Sequence, residues 1–312
     1  MLPAEEFYRD RTIDLVVPYE PGGGYDLYAR DMAPYLGACI GGDVKVVNEA
    51  GAGGLLATSN TAAGEPDGTR VQIVNTVGAV SAQIGGADGI NFDLGELSWI
   101  TRVSAEATVV VAAADGRFES FDQMRASENP VRFVSTGPGS SDYVSPPLLR
   151  QIFDFPIDVI SGFAGSGEAR TAYLRGDADA QVLPVASTIG AIRSGEIRPL
   201  LVIGETASPL LEGVPRARDL EVAGQPQRET LSSLLKLVDL SRTIVAPPGL
   251  PADRLEYVRD GFECALSDPD LVAASAEQRR PIEFMSGAEL TEAMRTVLDA
   301  DPAFRQIIQD IT

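Results

Sequence analysis

The stretch VVPYEPGGGYDLYAR, residues 16–30, sets three glycines between an apolar run and an amphipathic segment. The run begins at Ile13, and IDLVVPY (13–19) reads as a buried strand. The glycines turn the chain into a helix predicted over Asp26–Leu36. Asp26 is its expected N-cap, and Pro34 is expected to kink or end it. Next come a second strand, VKVVNE (44–49), and a second glycine loop opening a helix, AGAGGLLATSNTAAG (50–64). A PDGT turn (66–69) leads to a third strand, RVQIVNT (70–76). Strand, loop and helix in this order predict a parallel α/β unit.

The same theme returns further on. LSWITRVSAEATVVVAAA (97–114) holds two apolar runs with polar punctuation, a segment able to cross from one domain into another. VRFVSTGPGSSDYVSPPLLRQIF (131–153) reads as strand, glycine-serine loop and helix. IDVISGFAGSGEARTAYLRGDADAQVL (157–183) does so again, with Ser166 or Gly167 capping a helix that has Glu168 in its first turn. GEIRPLLVIG (195–204) is a strand. SRTIVAPPGLPADRLEYVRDGFECAL (241–266) gives a strand, a proline turn and a long helix; the rest is helical, with PIEFMS as a short strand.

A chain of 312 residues with 44% hydrophobic content has room for two domains with real cores. Its net charge of −20, without any basic run, argues against nucleic acid and against insertion into anionic membrane surfaces. The acidity reads as a hydrated surface. With no histidine, the commonest general base and most zinc sites are gone. Cys39 and Cys264 are too far apart in sequence for a CxxC motif, and two buried thiols or a disulfide both stay open. No apolar stretch reaches membrane-spanning length. The opening residues, MLPAEEFYRD, carry no basic region and no apolar core of a signal peptide, as expected of a cytosolic chain or of a mature form.

None of the glycine loops completes a nucleotide motif. No Gly-Lys-Ser/Thr follows the first loop, and its third dinucleotide-fingerprint glycine is missing. What the loops share is a place after a strand and before a helix. Free backbone N–H groups stand there at the positive end of a helix dipole. Thr76, Ser135, Thr136, Ser140, Ser141, Ser161 and Ser166 add neutral donors. Such donors suit a carboxylate that must be released again.

Taken in order, these segments resemble the Bug family, the TctC-like substrate-binding proteins of tripartite tricarboxylate transporters. The resemblance rests on IDLVVPYEPGGGYDLYAR, VKVVNEAGAGGLLATSNTAAGEPDGT, VSTGPGSS, SGFAGSGEARTAYLRGDADAQV and IVAPPGLPADRLEYVRDGFECALSDPDL, and covers almost the whole chain. The GGGYDLYAR variant points to a divergent branch. The resemblance implies a type 2 periplasmic-binding-protein fold: two α/β domains around a cleft, joined by two crossing segments. Domain 1 would hold 1–104 plus 242–312, and domain 2 would hold 105–241. It implies a ligand carboxylate pinned by Tyr19, Pro21, Gly22, Gly23, Gly24 and Tyr25, with Thr76, Val77 and Gly78 after the third strand. Domain 2 would add Thr136, Gly137, Gly139, Ser140 and Ser141. Phe163, Ala164 and Gly165 would line the far side, with Pro184 to Ser187 at the floor. Gly23→Val is expected to abolish binding.

Two positions depart from the family pattern. Tyr25 stands where relatives carry a small residue, which would narrow the mouth or stack on a flat ligand. VLPVAS (182–187) lacks the family's acidic or amide residue, which favours a di- or aromatic carboxylate over an amino acid. The implied protein is a periplasmic monomer that passes its ligand to TctA/TctB-like membrane subunits, with no cofactor and no metal. A ligand sensor feeding a signalling receptor would share the same sequence. An α/β enzyme using Asp26, Asp142 or Glu168 is the third reading. It lacks a recognisable nucleophile–base pair, and helix capping or dipole roles suit Asp26 and Glu168 better.

Overall fold

The apolar runs become strands in the computed structural model, which describes residues 3–9, 11–105, 107–204, 209–299 and 302–311. The strands are β1 (Thr12–Val17), β2 (Asp43–Asn48), β3 (Arg70–Asn75), β4 (Ser98–Ser104), β5 (Thr108–Ala113), β6 (Val131–Ser135), β7 (Ile157–Ser161), β8 (Ala180–Pro184), β9 (Ile197–Ile203) and β10 (Arg242–Ala246). The helices are α1 (Ala4–Tyr8), α2 (Gly24–Ile40), α3 (Leu55–Ala62), α4 (Thr76–Gly85), α5 (Phe121–Arg125), α6 (Ser141–Phe153), α7 (Ser166–Leu174), α8 (Ile189–Arg193), α9 (Gln225–Asp239), α10 (Ala252–Leu266), α11 (Pro269–Glu277), α12 (Gly287–Leu298) and α13 (Pro302–Ile311).

Two five-stranded sheets form, in the orders β2-β1-β3-β10-β4 and β7-β6-β8-β5-β9. Each is built on a parallel trio. β1 lies between β2 and β3, and β6 lies between β7 and β8. The fourth strand of each sheet runs antiparallel: β10 against β3 and β4, β5 against β8 and β9. The chain crosses between the sheets from β4 to β5 and returns before β10. Ser104 pairs with Arg242, so the two crossings run side by side. The protein is thus a two-domain α/β molecule. The loops that follow β1, β6 and β7 and the β3–α4 junction at Asn75 line one cavity, as ligand loops do in open α/β sheets.

Burial explains how the lobes are held. Ile13, Leu15 and Ile73 pack under Met32, Leu36 and Phe262 of α2 and α10. Val109, Val134 and Val202 pack under Ala169 and Tyr173 of α7. A further cluster is shared by both lobes. Val77, Val80 and Ile84 of α4 meet Leu148 and Ile152 of α6, Leu234 of α9 and Ile308 of α13. The two sheets are therefore welded by an apolar layer on one side of the crossings and face each other across a cleft on the other.

Several expectations are corrected. Helix α2 begins at Gly24, with Gly23 as its N-cap and Asp26 inside its first turn. Pro34 neither ends nor shortens it. The proline is exposed, so the Arg30 carbonyl that it leaves without a helix partner faces solvent, while Met32, Leu36 and Ile40 stay anchored. Helix α7 is capped by Gly165, one residue before the expected position. PIEFMS forms only an isolated bridge between Arg102 and Met285. Cys39 and Cys264 are bonded, with their Cα atoms 6.1 Å apart. Close packing of α2 on α10 brings them together: a Cβ on Gly261 would meet Ile40 Cγ1 at 2.4 Å. Among the described residues, no helix is long and apolar enough to cross a membrane.

Candidate functional site

A cavity of about 520 Å³ lies between the lobes. Three helices begin at its wall: α2 from the first lobe, α6 and α7 from the second. Their N-cap residues are Gly23, Ser140 and Gly165, and in none does a side chain cap the helix. First-turn N–H groups are thereby left for whatever fills the cavity, at the positive end of each helix dipole.

The first loop is shaped from behind. Gly22 adopts φ +87°, a left-handed conformation that glycine alone tolerates well. Its N–H donates to Asp26 Oδ2 (2.9 Å), which also receives Arg30 Nε (2.8 Å), while Asn48 Nδ2 donates to Asp26 Oδ1 (3.0 Å) and to the Tyr19 carbonyl (2.9 Å). The third lobe-facing loop repeats the device: Ala164 N–H donates to Glu168 Oε2 at 2.8 Å, again four residues on. Burial alone would raise the Asp26 carboxyl, but the bonds from Arg30, Gly22 and Asn48 outweigh it and hold it below its ordinary value of 3.8. A depressed carboxylate stabilises the fold above its unfolded pKa, and that stability is lost as pH falls through the folded value. Asp26→Asn is therefore expected to cost about 1–2 kcal/mol at pH 7. It should also flatten the fall of Tm below pH 4; an acid limb identical to the parent's would rule out this role.

Aromatic rings form one wall. The Arg242 guanidinium lies 4.5 Å over the Tyr25 ring and 4.6 Å over that of Tyr28, and its Nη2 donates to Ser187 Oγ at 3.2 Å. Tyr19 sits 5.0 Å from Tyr25. Its hydroxyl donates to the Gly53 carbonyl and accepts from Asn75 Nδ2, both at 3.0 Å. Tyr25, 5% exposed, is thus hemmed in by Arg242 and Tyr19, so the expected stacking on a flat ligand is not available. Burial pushes the Tyr25 hydroxyl up to about 12, so it stays protonated.

On the opposite wall Asp142 is buried. Its Oδ1 receives Ser135 Oγ, Thr136 N and Thr136 Oγ1, each at 3.2 Å, and Ser140 Oγ more closely still. Gln181 Nε2 donates to Oδ2 at 2.9 Å. Burial raises its pKa above the ordinary 3.8, and these bonds offset only part of that.

Of the residues singled out from sequence, Tyr19, Pro21, Gly22, Gly23, Gly24, Tyr25, Thr136, Ser140, Ser141, Ala164, Gly165, Pro184 and Ser187 lie on the cavity wall. Thr76, Val77, Gly78, Gly137, Gly139 and Phe163 do not. Thr76 bonds Thr243 at 2.8 Å under the crossings. Val77 belongs to the shared apolar layer, and Phe163 packs against the second lobe's core. The glycines touch one another across the lobes: a Cβ on Gly78 would meet the Gly139 carbonyl oxygen at 2.1 Å, and one on Gly53 the Gly137 oxygen at 2.4 Å. Gly139 N–H also donates to the Ala52 carbonyl at 3.2 Å. These glycines serve the approach of lobe to lobe.

Ser166, expected as a neutral donor, is on the wall too, and Glu20, Asn75, Asp142, Gly167, Glu168, Arg170 and Leu183 complete it without having been assigned to it. Arg170 carried a signal, since it stands four residues after Ser166 on one helix face. It is the only Arg or Lys among the described wall residues, with Glu196 3.8 Å from its Nε. Asn75 missed by one residue: it caps α4 through Gly78 N–H and reaches Ser141 of the other lobe at 3.4 Å. Gly23, expected to be intolerant, has space: its Cβ would meet nothing nearer than Ser166 Oγ at 3.8 Å.

A family model described as tripartite tricarboxylate transporter family receptor (TctC) matches residues 28–311. A UPF0065 protein in the tcbD-tcbE intergenic region of Pseudomonas sp. (strain P51) is 28% identical over 271 residues, 86% of this chain and 77% of that protein. Among solved structures, the periplasmic binding protein BugD superposes with a TM-score of 0.80 at 18% identity, covering 97% of this chain and 98% of its own. MatC from Rhodopseudomonas palustris, solved with bound malate, superposes with a TM-score of 0.77 at 19% identity, covering 96% and 99%. These two likenesses are of fold.

Proposed function

Since the chain belongs to the tripartite tricarboxylate transporter receptor (TctC) family, whose proteins are periplasmic solute-binding proteins, we propose that it captures a small organic carboxylate between its two lobes. The observation that carries this reading is the meeting of three uncapped helix N-termini, from both lobes, on one cavity. An anion there is held by backbone N–H groups and hydroxyls, with Arg170 at the wall for a second carboxylate. The lobes, 1–104 plus 242–312 and 105–241, close on it about the paired crossings at Ser104 and Arg242. The Cys39–Cys264 bond suits an oxidising compartment, here the periplasm. The closed monomer is then read by membrane subunits of the TctA/TctB kind. A dicarboxylate is favoured over an aromatic acid, because the Tyr25 ring has no face left for stacking.

The test is a thermal-shift panel of mono-, di- and tricarboxylates, aromatic acids, amino acids and nucleotides. An acid at 100 times its Kd stabilises by about 2.7 kcal/mol and should raise Tm by a few degrees. A response to nucleotides alone, or to no acid, would refute the reading.

A further inference from the structure

We infer that Arg242 acts on the bound carboxylate through Ser187: its guanidinium turns the Ser187 hydroxyl proton into the cavity, so that Ser187 donates to the anion and Arg242 is the residue that positions it. This rests on the carboxylate reading and gives two residues their parts in it. Arg242 cannot touch a ligand itself, since it is fully buried. It opens β10, where the chain has just crossed back from the second lobe. Its guanidinium lies 4.5 Å over the Tyr25 ring and 4.6 Å over that of Tyr28. Those tyrosines stand one turn apart on α2, so the cation is held behind the first turn of a helix whose N-terminus meets the cavity. From there Nη2 reaches the other lobe, at Ser187 Oγ, 3.2 Å away.

Chemistry fixes the direction of that bond. A guanidinium has five N–H donors and no acceptor, so Ser187 Oγ accepts and its own proton must go elsewhere. Among the described residues nothing takes that proton, and Ser187 does not cap α2. Ser187 is half-buried on the cavity wall, against Gly24, the first residue of α2. Its proton and the open N–H groups of the α2 first turn therefore serve one anion position. A hydroxyl that already accepts from a cation donates more strongly, because the two bonds polarise each other in the same sense. The anion then lies two hydrogen bonds from the guanidinium, roughly 5–6 Å away. In a protein of net charge −20 such a cation draws the anion in, and without the direct fork of an Arg–carboxylate pair the anion can leave again. A tie between the lobes alone accounts for the Arg242–Ser187 bond. It does not account for a hydroxyl proton left over at the cavity wall.

The experiment is calorimetric titration with acetate, succinate, malate and citrate; the acid bound most tightly is the probe for every variant. Ser187→Ala should weaken it at least about 10-fold. Arg242→Met keeps an unbranched side chain against the two rings but removes the charge and the donors, and should cost a similar factor. Arg242→Lys keeps a charge and a donor, and should bind within about 3-fold of the parent. In the Ser187→Ala background, Arg242→Met should add less than about 3-fold, because the cation has lost the group it acts through. The ¹³C resonance of the bound probe's labelled carboxylate should move in Ser187→Ala and in Arg242→Met, which a mere brace between the lobes would not cause. Undiminished affinity in either single variant, multiplied losses in the double variant, a lysine no better than methionine, or an unmoved resonance would each overturn the inference and leave the carboxylate reading standing. Should Arg242→Met fail to fold, Ser187→Ala decides alone, by affinity and by resonance. Binding of none of these acids, together with a silent wider acid panel, would overturn both.

Discussion

Gly24→Val is expected to weaken binding of the acid found by thermal shift at least about 100-fold, about 2.7 kcal/mol, while lowering Tm by less than about 3 °C. Gly24 is the first residue of α2 and lies on the cavity wall, directly against the other lobe. A Cβ there would stand 2.3 Å from Ser187 Oγ, 3.0 Å from Arg242 Nη2 and 3.2 Å from Ser187 Cα. The hydroxyl can rotate away, but the Ser187 backbone belongs to the opposite lobe and Arg242 is fully buried. Valine adds two further methyl groups, so relief comes by parting the lobes, together with a small shift of the Arg242 guanidinium in Gly24's own lobe. The apolar cores beneath are untouched, and for that reason stability is largely kept. Affinity falls because ligand binding must now also pay for a closed arrangement that the side chain opposes. Gly23→Ala is the control, since its Cβ would meet Ser166 Oγ at 3.8 Å and the Glu20 carbonyl oxygen at 3.9 Å, both ordinary contact distances; its affinity should stay within about 3-fold. Unchanged affinity in Gly24→Val would mean that this contact plays no part in closure.

The contrast between Gly23 and Gly24 shows what sequence reading delivers and where it stops. The repeated strand, glycine loop and helix revealed the α/β units and their parallel pairing, because apolar periodicity and turn residues are local, whereas the return of the chain to the first lobe was implied only by the family resemblance. It also led to the loops at the cleft. Yet one sequence symptom, glycine between a strand and a helix, has two physical causes here. Gly22, Gly23 and Gly24 bring backbone to a cavity, while Gly53, Gly78, Gly137 and Gly139 bring one lobe to the other. Nothing local separates them, since the partner lies more than 50 residues away. The same limit hid Asn75, whose reach to Ser141 crosses the lobes, and the confinement of Tyr25, which depends on an arginine on β10. Asp26 was misplaced as a cap for a different reason. Gly24 and Tyr25 take up helical geometry, so the helix starts before its first obvious signal.

Breaking the Cys39–Cys264 bond should carry the largest stability effect. Cys39 lies near the end of α2 and Cys264 near the end of α10, separated by 225 residues in sequence. Closing so long a loop in the unfolded chain removes entropy worth about 5 kcal/mol in the loop-closure model, and measured losses for native disulfides run at about 2–5 kcal/mol. For a chain of this size, Tm should drop by roughly 5–10 °C. The helices will still meet, because Leu36 and Ile40 pack against Val258 and Phe262 and the Tyr257 hydroxyl donates to the Ile40 carbonyl at 3.0 Å. The cavity will not feel the loss. From Gly24 to Cys39 the helix rises by roughly 22 Å, so the cross-link is remote from the ligand. Reduction, and the double variant Cys39→Ser with Cys264→Ser, should therefore give the same fall in Tm, with affinity within about 2-fold of the parent's. The double variant should then be indifferent to reductant. A Tm unmoved by reduction would show that the bond is not part of the folded protein, and would remove the structural argument for an oxidising compartment with it.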